Sequence, residues 1–599
     1  MPLVGIPVDR LKKLLGQKVG RDELRLALEN LGNDVEGYAR VIRYRCERCD
    51  HITEALEHED FNNCCSGCDC DKLVEIGSSE VVRIDLLPVR PDMLDAAGLA
   101  RALRGSLEIE TGLREWQTKP SGYAVEVKPG MDEIRPHIVA AVVRGLELDD
   151  ESLRMLMKMQ ENLHWALGRD RRRASIGVYD LGTVKPGFAF RPVEPDELKF
   201  VPLFGLPDDP KAELTPREVL ERHPKGTEYA HLLKDMTAYP LLVDSEDRVL
   251  SMPPIINSDG TKVAADTTDV FIDVTGPDRN AITRSLNVLV GALGDMGGEI
   301  ETVEVRYPDG RTETTPDLGP GEMTIEPAEA NRVLGLGLDA KETARCLEKL
   351  RYGATVDGDR VNVLVPAYRS DILHAQDVIE DVGIGYGFTN IEPRLVPTMT
   401  VSRPHPVEEV SEAARRVMNG MGILEVMTGV LTSERVQFEL MRLEEKPHVT
   451  LANPATVEQT MARTSLVPGL LAVLRENSTR EMPQQIYECD DVMEPDPEAE
   501  TGVRTYRRLA AALCGPKASF ADGRALISAL ARELGVEPSF SGNEHPSFIP
   551  GRYAEVRTGS GEECRPWGVL GEVHPEVLVG FAITQPVTVF EVGLDGTGR

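Results

Sequence analysis

The chain has 599 residues, 41% of them hydrophobic and 28% charged, with a formal charge of −32 at pH 7. That length exceeds a single core and implies about four domains; no apolar run reaches the ~18 residues of a membrane helix, which excludes a membrane protein. The acidity opposes nonspecific binding of polyanions, although 67 lysines and arginines are enough to line a local groove for a nucleic acid. The opening "MPLVGIPVDRLKKLLG" lacks the apolar core and small-residue cleavage site of a secretory signal, so the expected location is cytoplasmic.

Residues 1–120 read as a small α+β domain. "GIPVDRLKKLLGQKVGRDELRLALENLGNDVEGY" carries apolar residues at three-to-four spacing and predicts an amphipathic helix ending near Gly32. "VVRIDLLPVRPDMLDAAGLARALRGSL" predicts a strand, a turn at "PVRPD" and a helix from about Leu94. Between them, residues 46–70 hold six of the ten cysteines. Cys46 and Cys49 form one CxxC and Cys65 and Cys68 another, 15 residues apart, the spacing of a four-thiolate zinc ribbon. Cys64, Cys70, His51 and His58 are alternative ligands, and an iron–sulfur cluster is the alternative cofactor. A reducing compartment favours a metal there over disulfides.

Residues 121–316 form a second α+β unit, with strands at "YAVEVKPG" and "HIVAAVVRGL", a long helix over 151–168, and later strands at "YPLLVDSEDRVLSMPPIINS" and "DVFIDVTG". Arg169, Arg171, Arg172 and Arg173 follow the helix and could either grip phosphates or form a solvated helix end. His164 and Trp165 read as packing residues.

Residues 317–396 read as two helices, a strand and a third helix. Here "PAYRSDILHAQDVIEDVGIGYGF" places Asp371, Asp377, Glu380 and Asp381 within eleven residues, among apolar neighbours. Positions 377, 380 and 381 share one helix face, and Asp371 precedes that helix. A hard divalent cation such as Mg²⁺ would relieve the repulsion among these carboxylates; the alternative is a helix cap plus a solvated acidic face. Residues 397–599 predict an antiparallel sheet with helices on one side, including "PVEEVSEAARRVMNGMG" and "PGLLAVLRENSTR", and show no nucleophile, base or phosphate loop.

Taken in order, "RRRASIGVYDL", "PPIINSDGTKVAADTTDVFIDVTGPD", "PAYRSDILHAQDVIEDVGIGYGF", "NPATVEQTMARTSLVPGLLAVLRENSTREMPQQIYECDDV" and "HPSFIPGRYAEV" with "WGVLGEVHPEVL" resemble the β subunits of phenylalanyl-tRNA synthetases of the archaeal and eukaryotic type. The resemblance spans nearly the whole chain, except that residues 46–70 look like an insertion in the N-terminal domain. It implies Mg²⁺ ligation by Asp371, Asp377, Glu380 and Asp381 in a B5-like domain, the metal being structural. It implies that 397–599 is a class II synthetase core without its active site, because Ile486 stands where the family's working ATP site has an arginine, two residues before Glu488. ATP and phenylalanine would then belong to a separate α subunit, in an α2β2 assembly that charges tRNA-Phe. Residues 121–316 resemble an editing domain (B3/B4-like) that hydrolyses tyrosine from misacylated tRNA-Phe. Ser251, Asp273 and Thr275 are its expected pocket residues, with Asn257 a further candidate. Two rival functions are a metal-containing paralogue acting as a nucleic-acid or protein adaptor and a Mg²⁺-dependent hydrolase using the acidic cluster.

Overall fold

A computed structural model of the chain describes residues 3–48, 52–57, 63–65, 70–86, 89–207, 209–559 and 564–595. It divides into two compact units, Met1–Arg394 and Leu395–Arg599. No described helix is long and apolar enough to cross a membrane.

The first unit opens with β1 (Leu3–Pro7), α1 (Val8–Leu15) and α2 (Arg21–Asn30). The single helix expected here is two, because Gly16 adopts φ +76° and closes α1 in a left-handed cap. Strands β2 (Asp34–Cys46), β3 (Ile52–Leu56) and β4 (Leu73–Asp85) complete an antiparallel sheet of order β1-β4-β2-β3. Helix α3 (Ala96–Ser106) starts where Asp95 accepts hydrogen bonds from the Ala97 and Gly98 amides.

The middle of this unit is a ten-stranded sheet. Its elements are β5 (Lys119–Val127), β6 (His137–Arg144), α4 (Asp150–Ala166), β7 (Ser175–Asp180), β8 (Phe188–Val193), α5 (Pro216–Arg222), α6 (Pro224–Tyr229), β9 (Tyr239–Val243), β10 (Val249–Met252), β11 (Ile256–Asn257), β12 (Val270–Gly276), α7 (Arg279–Asp295), β13 (Glu299–Arg306) and β14 (Thr312–Thr315). The strand order is β11-β10-β9-β8-β5-β13-β6-β12-β7, with β14 paired to β13. Side chains alternate across β12: Val270, Ile272 and Val274 join the core shared with α4 and α7, while Phe271 joins a second core with Tyr179, Phe188 and Leu250. Asp273 and Thr275 are on the Phe271 side by the same alternation. Tyr179 of β7 touches Ser251 of β10, so the sheet curls until its two ends meet and encloses that second core.

The unit closes with β15 (Gly321–Ile325), α8 (Pro327–Leu334), α9 (Ala340–Lys349), β16 (Gly353–Asp357), β17 (Arg360–Val365) and α10 (Ala375–Tyr386), the strands ordered β15-β17-β16. The second unit contains α11 (Pro406–Gly420), β18 (Leu424–Glu425), β19 (Leu431–Thr432), β20 (Met461–Ala462), α12 (Val467–Glu476), β21 (Gln484–Pro495), β22 (Val503–Cys514), α13 (Phe520–Leu534), β23 (Pro538–Gly542), β24 (Phe548–Thr558), β25 (Arg565–Val573), α14 (Pro575–Gly580) and β26 (Val587–Gly593). Seven of its strands form one sheet, ordered β18-β21-β22-β26-β25-β24-β23, antiparallel except for the β18–β21 pair. Helices cover both faces rather than the one expected. Ala510, Ala512 and Cys514 of β22 pack with α12 and α14, and Leu509, Ala511 and Leu513 with α11 and α13. A strand buried on both faces reads as a continuous apolar run instead of an alternation, and "LAAALC" is such a run.

Candidate functional site

The interior of the curled sheet holds a polar cluster in apolar surroundings. Asp273 is 1% exposed, Ser251 3% and Thr275 0%. The Tyr179 hydroxyl lies 2.5 Å from Asp273 Oδ1 and 2.7 Å from Ser251 Oγ. Phe271 stacks on Phe188 with ring centroids 4.1 Å apart, and Tyr179 stacks on Phe271 in turn. Burial pushes the Asp273 carboxyl up to about 7, against the Tyr179 hydrogen bond and the Arg135 charge, which both act to lower it. Burial also raises the Tyr179 phenol well above its ordinary value, and the Asp273 charge adds to that.

Of the four residues expected to form a pocket, Ser251 and Asp273 therefore meet through Tyr179. Thr275 serves a different partner: its Oγ1 accepts from Arg135 Nε at 2.8 Å and lies 3.1 Å from Ser175 Oγ, while Arg135 Nη2 donates to the Thr275 carbonyl at 2.7 Å. Asn257 is half-buried on β11, in register opposite Ser251. Residues directly opposite on paired strands present side chains to one face, so Asn257 borders the Ser251 side. Tyr179, Arg135 and Ser175 were not foreseen. Gly177 is the backbone condition for the cluster: it pairs with Asp273 across β7 and β12, and a Cβ there would overlap both Tyr179 Oη and Asp273 Oδ1. The string "IGVYD" was the available signal, with glycine and tyrosine at i, i+2 on one strand face.

The arginine run after α4 is structural at two positions. Arg171 is buried, donates to the Ile255 carbonyl at 2.8 Å and pairs with Glu161 at 2.7 Å, and Arg173 pairs with Asp278. His164 is buried and accepts from the Ile176 amide at 2.8 Å, whereas Trp165 is 48% exposed rather than packed.

The acids at 371–381 divide into two sets. Arg369 is buried and bridges the first: its Nε and Nη2 donate to Asp371 Oδ1 and Oδ2 at 2.9 and 2.6 Å, and Nη2 lies 2.6 Å from Asp381 Oδ2. The Tyr352 hydroxyl also donates to Asp381, at 2.5 Å. Burial works against the Arg369 charge, but Asp381, Tyr352 and Asp371 together lift its pKa well above the ordinary arginine value. In the second set, Asp377 Oδ2 accepts from the Leu373 and His374 amides at 2.8 Å each, capping α10, and Glu380 is exposed. Among the described residues no three acidic, histidine or cysteine side chains form a group able to hold a metal ion. The donor chemistry is right for Mg²⁺, all hard carboxylate oxygen, but the described geometry does not close these acids into a cage. An internal cation, Arg369, already bridges the buried Asp381 and the half-buried Asp371.

In the second unit, Ile486 is buried against α12, and Glu488 at 1% exposure is fully engaged. It accepts from the Thr428 amide at 2.9 Å, the Thr428 hydroxyl at 2.7 Å and Arg463 Nη1 at 2.8 Å. Arg463, itself 2% exposed, also pairs with Asp490 at 2.8 Å. Of the cysteine ligands expected in the insertion, Cys46 and Cys65 are described and buried, and Cys49 and Cys68 lie outside the described residues, as do His51 and His58.

Comparison with known proteins places these features. A family model described as the tRNA synthetase B5 domain matches residues 323–388, and one described as the phenylalanyl tRNA synthetase beta chain CLM domain matches residues 391–594. A phenylalanine–tRNA ligase beta subunit from Archaeoglobus fulgidus is 41% identical over 531 residues, covering 88% of this chain and 93% of that protein. One from Methanosphaera stadtmanae is 35% identical over 597 residues, covering 99% of each. Among solved structures, an N-terminal fragment of the phenylalanyl-tRNA synthetase beta subunit from Pyrococcus horikoshii matches 64% of this chain and 99% of its own length, at 35% identity and a TM-score of 0.56. With these identities spread over most of its length, the chain belongs to the family of phenylalanine–tRNA ligase β subunits, of archaeal type.

Proposed function

We propose that this chain works with a separate α subunit in charging tRNA-Phe, that the α subunit handles ATP and phenylalanine, and that the curled sheet of residues 121–316 removes tyrosine from misacylated tRNA-Phe. The observation that carries the editing assignment is the Ser251–Tyr179–Asp273 cluster. A hydroxyl and a carboxyl, set among stacked aromatic rings, are complementary to a phenol, and Tyr179 supplies one from within the chain.

The physical need is discrimination. A synthetic site shaped for phenylalanine rejects an analogue that only adds a hydroxyl by a factor of roughly 100. A second site that hydrogen-bonds the hydroxyl makes the opposite choice, because phenylalanine would leave buried polar groups unpaired. In this reading a tyrosyl group entering the sheet interior takes over the hydrogen-bonding contacts that the Tyr179 hydroxyl makes with Ser251 and Asp273, with Asn257 at the border. The Arg135–Thr275 contact holds the end of β12 in place. The chain's own residues position the ester; the attacking water is not assigned to a protein base.

Two features support a non-activating role for 395–599. Ile486 occupies the expected arginine position, and Arg463 and Thr428 donate three hydrogen bonds to the buried Glu488. Magnesium remains part of the proposal, in a structural role: Asp371, Asp377, Glu380 and Asp381 would be its ligands, and holding it would require these side chains to leave the arrangement described, in which they form no group able to hold a metal ion. The α2β2 stoichiometry and a cytoplasmic location are carried forward on the same footing. The test is deacylation of Tyr-tRNA-Phe by the complex of this chain with its α subunit. Ser251→Ala is expected to slow it about tenfold, as loss of one buried hydrogen bond would, with Phe-tRNA-Phe untouched. Equal hydrolysis of both esters, unaffected by the substitution, would overturn the assignment.

A further inference from the structure

A polar cavity where α3, α7 and α9 meet, within the first unit, plays no part in the reading above. It measures about 220 Å³. Its charged lining is Arg101 and Arg104 of α3, Glu110 and Arg114 of the loop that follows, Asp295 at the end of α7, and Arg351 just beyond α9. Four guanidiniums stand against two carboxylates there, an excess of two positive charges in a chain whose net charge is −32. Two of the cations are in the interior: Arg101 is 4% exposed and Arg351 2%.

The ion pairs within this group leave donors over. Arg101 Nη1 donates to Asp295 Oδ2 at 2.5 Å, Arg351 Nη2 donates to Glu110 Oε1 at 2.8 Å, and Arg104 Nη2 lies 3.0 Å from Glu110 Oε2. Arg114 Nε is 3.8 Å from Asp295 Oδ1, beyond hydrogen-bond reach. Asp92 and Asp95 also act on Arg101, but neither borders the cavity: Asp92 pairs with Arg90, and Asp95 caps α3. Arg101 Nη2, Arg104 Nε and Arg351 Nε are buried and have no hydrogen-bond partner among the described residues. A guanidinium nitrogen withdrawn from water without an acceptor is costly, and this cavity gathers three.

Backbone and packing hold these groups in place. Arg351 takes φ +69°, in the left-handed region, at the position after α9 where glycine is the usual residue. Its amide donates to the Glu348 carbonyl at 3.1 Å, and the Tyr352 amide to the Leu347 carbonyl at 3.2 Å, which defines that position. An arginine kept where the backbone favours glycine points to a use for its side chain. Gly105 lets the end of α9 approach α3: a Cβ there would lie 2.2 Å from the Lys349 carbonyl oxygen and 2.9 Å from Arg351 Cδ. Arg101 stacks over the Tyr368 ring, 3.8 Å from its centroid, with the Trp116 ring at 5.7 Å, so its guanidinium plane is fixed.

Charge and donor number select the ligand. A terminal phosphate carries about −1.5 to −2 at pH 7 and offers three strong acceptor oxygens, matching both the charge excess and the unpartnered nitrogens. A backbone phosphodiester carries about one charge and leaves part of the excess uncompensated. We propose that this cavity binds a dianionic phosphate, either inorganic phosphate or the terminal phosphate of a small nucleotide, and that the bound anion ties α3, α7 and α9 together. Nothing in this site depends on the editing assignment.

Equilibrium dialysis of the full-length chain against radioactive inorganic phosphate is expected to show saturable binding of about one equivalent, in the millimolar range or below. Sulfate is expected to displace the label and dimethyl phosphate to leave it bound. Adenosine 5′-monophosphate separates the two sources: displacement at similar concentration assigns the site to a nucleotide terminus, and retention of the label assigns it to the free anion. Arg104→Gln, at the part-exposed rim, is expected to weaken binding about tenfold, the loss of one charge-assisted hydrogen bond. Arg172→Gln, which removes an exposed arginine beyond α4, is expected to leave binding unchanged. On the wild-type chain, phosphate at about ten times its dissociation constant is expected to slow amide exchange at residues 107–114 and 348–352 about tenfold. Absence of saturable binding below about 10 mM overturns the site. So does equal weakening by the two substitutions, no weakening by Arg104→Gln, or exchange unaltered at both segments, and displacement by dimethyl phosphate overturns the choice of a dianion. Because exchange is read on the wild-type chain, poor folding of a variant does not remove the test.

Discussion

Asp273 and Glu488 are both buried carboxylates at 1% exposure, each on an interior strand of its sheet, and they are treated in opposite ways. Asp273 faces a phenol and has Arg135 only as a more distant charge, so burial lifts its pKa to about 7. Glu488 is met by a buried guanidinium, an amide and a hydroxyl, all within 2.9 Å. A carboxyl held by a neutral group can exchange that group for another neutral hydroxyl without stranding a charge. A carboxylate locked to a buried arginine cannot, since freeing either partner leaves an uncompensated ion. The contrast fits the recognition role proposed for the first site and a scaffold role for the second.

The largest expected effect lies on the scaffold side. Arg463→Leu strands Glu488 and should destabilise the second unit by about 3–5 kcal/mol, read as a lower denaturant midpoint. A loss below about 1 kcal/mol, the scale of an exposed pair, would show that Glu488 is not locked and would blur the contrast. The pH dependence of stability sharpens the other side. Because the folded pKa of Asp273 stands above its unfolded value of 3.8, the fold binds the extra proton. The stabilisation is complete below about pH 4, declines as pH rises, and is gone above about pH 7. Asp273→Asn should flatten that part of the stability curve of the first unit; an unchanged slope would remove the claim that Asp273 carries it. The smallest effect concerns the acids at 371–381. Asp377→Ala removes a helix cap and should cost about 1 kcal/mol, with Tyr-tRNA-Phe turnover intact. Lost turnover at unchanged stability would instead favour the Mg²⁺-dependent hydrolase.

Much of the fold was legible where one face of an element meets water. α4 shows its cap, Asp149, and an apolar stripe, and was read within two residues of its ends. α7 was missed because Ser285 to Gly294 are all buried, so no polar face marks a helical period. α13 was missed although Ser519 and Asp522 form a capping box before it. In the candidate site, Asp273 and Thr275 were legible as i, i+2 neighbours on a strand. Their partners were not, because Tyr179 and Arg135 come from segments roughly 100 residues away or more, joined only when β6 and β7 pair with β12. The sequence offered a bound cation or a helix cap with a solvated face for the 371–381 acids, and did not show that Arg369, two residues before Asp371, bridges Asp371 and Asp381.

The account is tested most directly by one paired assay: Tyr-tRNA-Phe hydrolysis and ATP–pyrophosphate exchange, measured on the chain alone and on its complex with the α subunit. Exchange is expected only with the α subunit, and Asp273→Ala in the complex is expected to abolish most of the hydrolysis while exchange continues. Exchange by this chain alone, or hydrolysis undiminished in the Asp273→Ala complex, would contradict it.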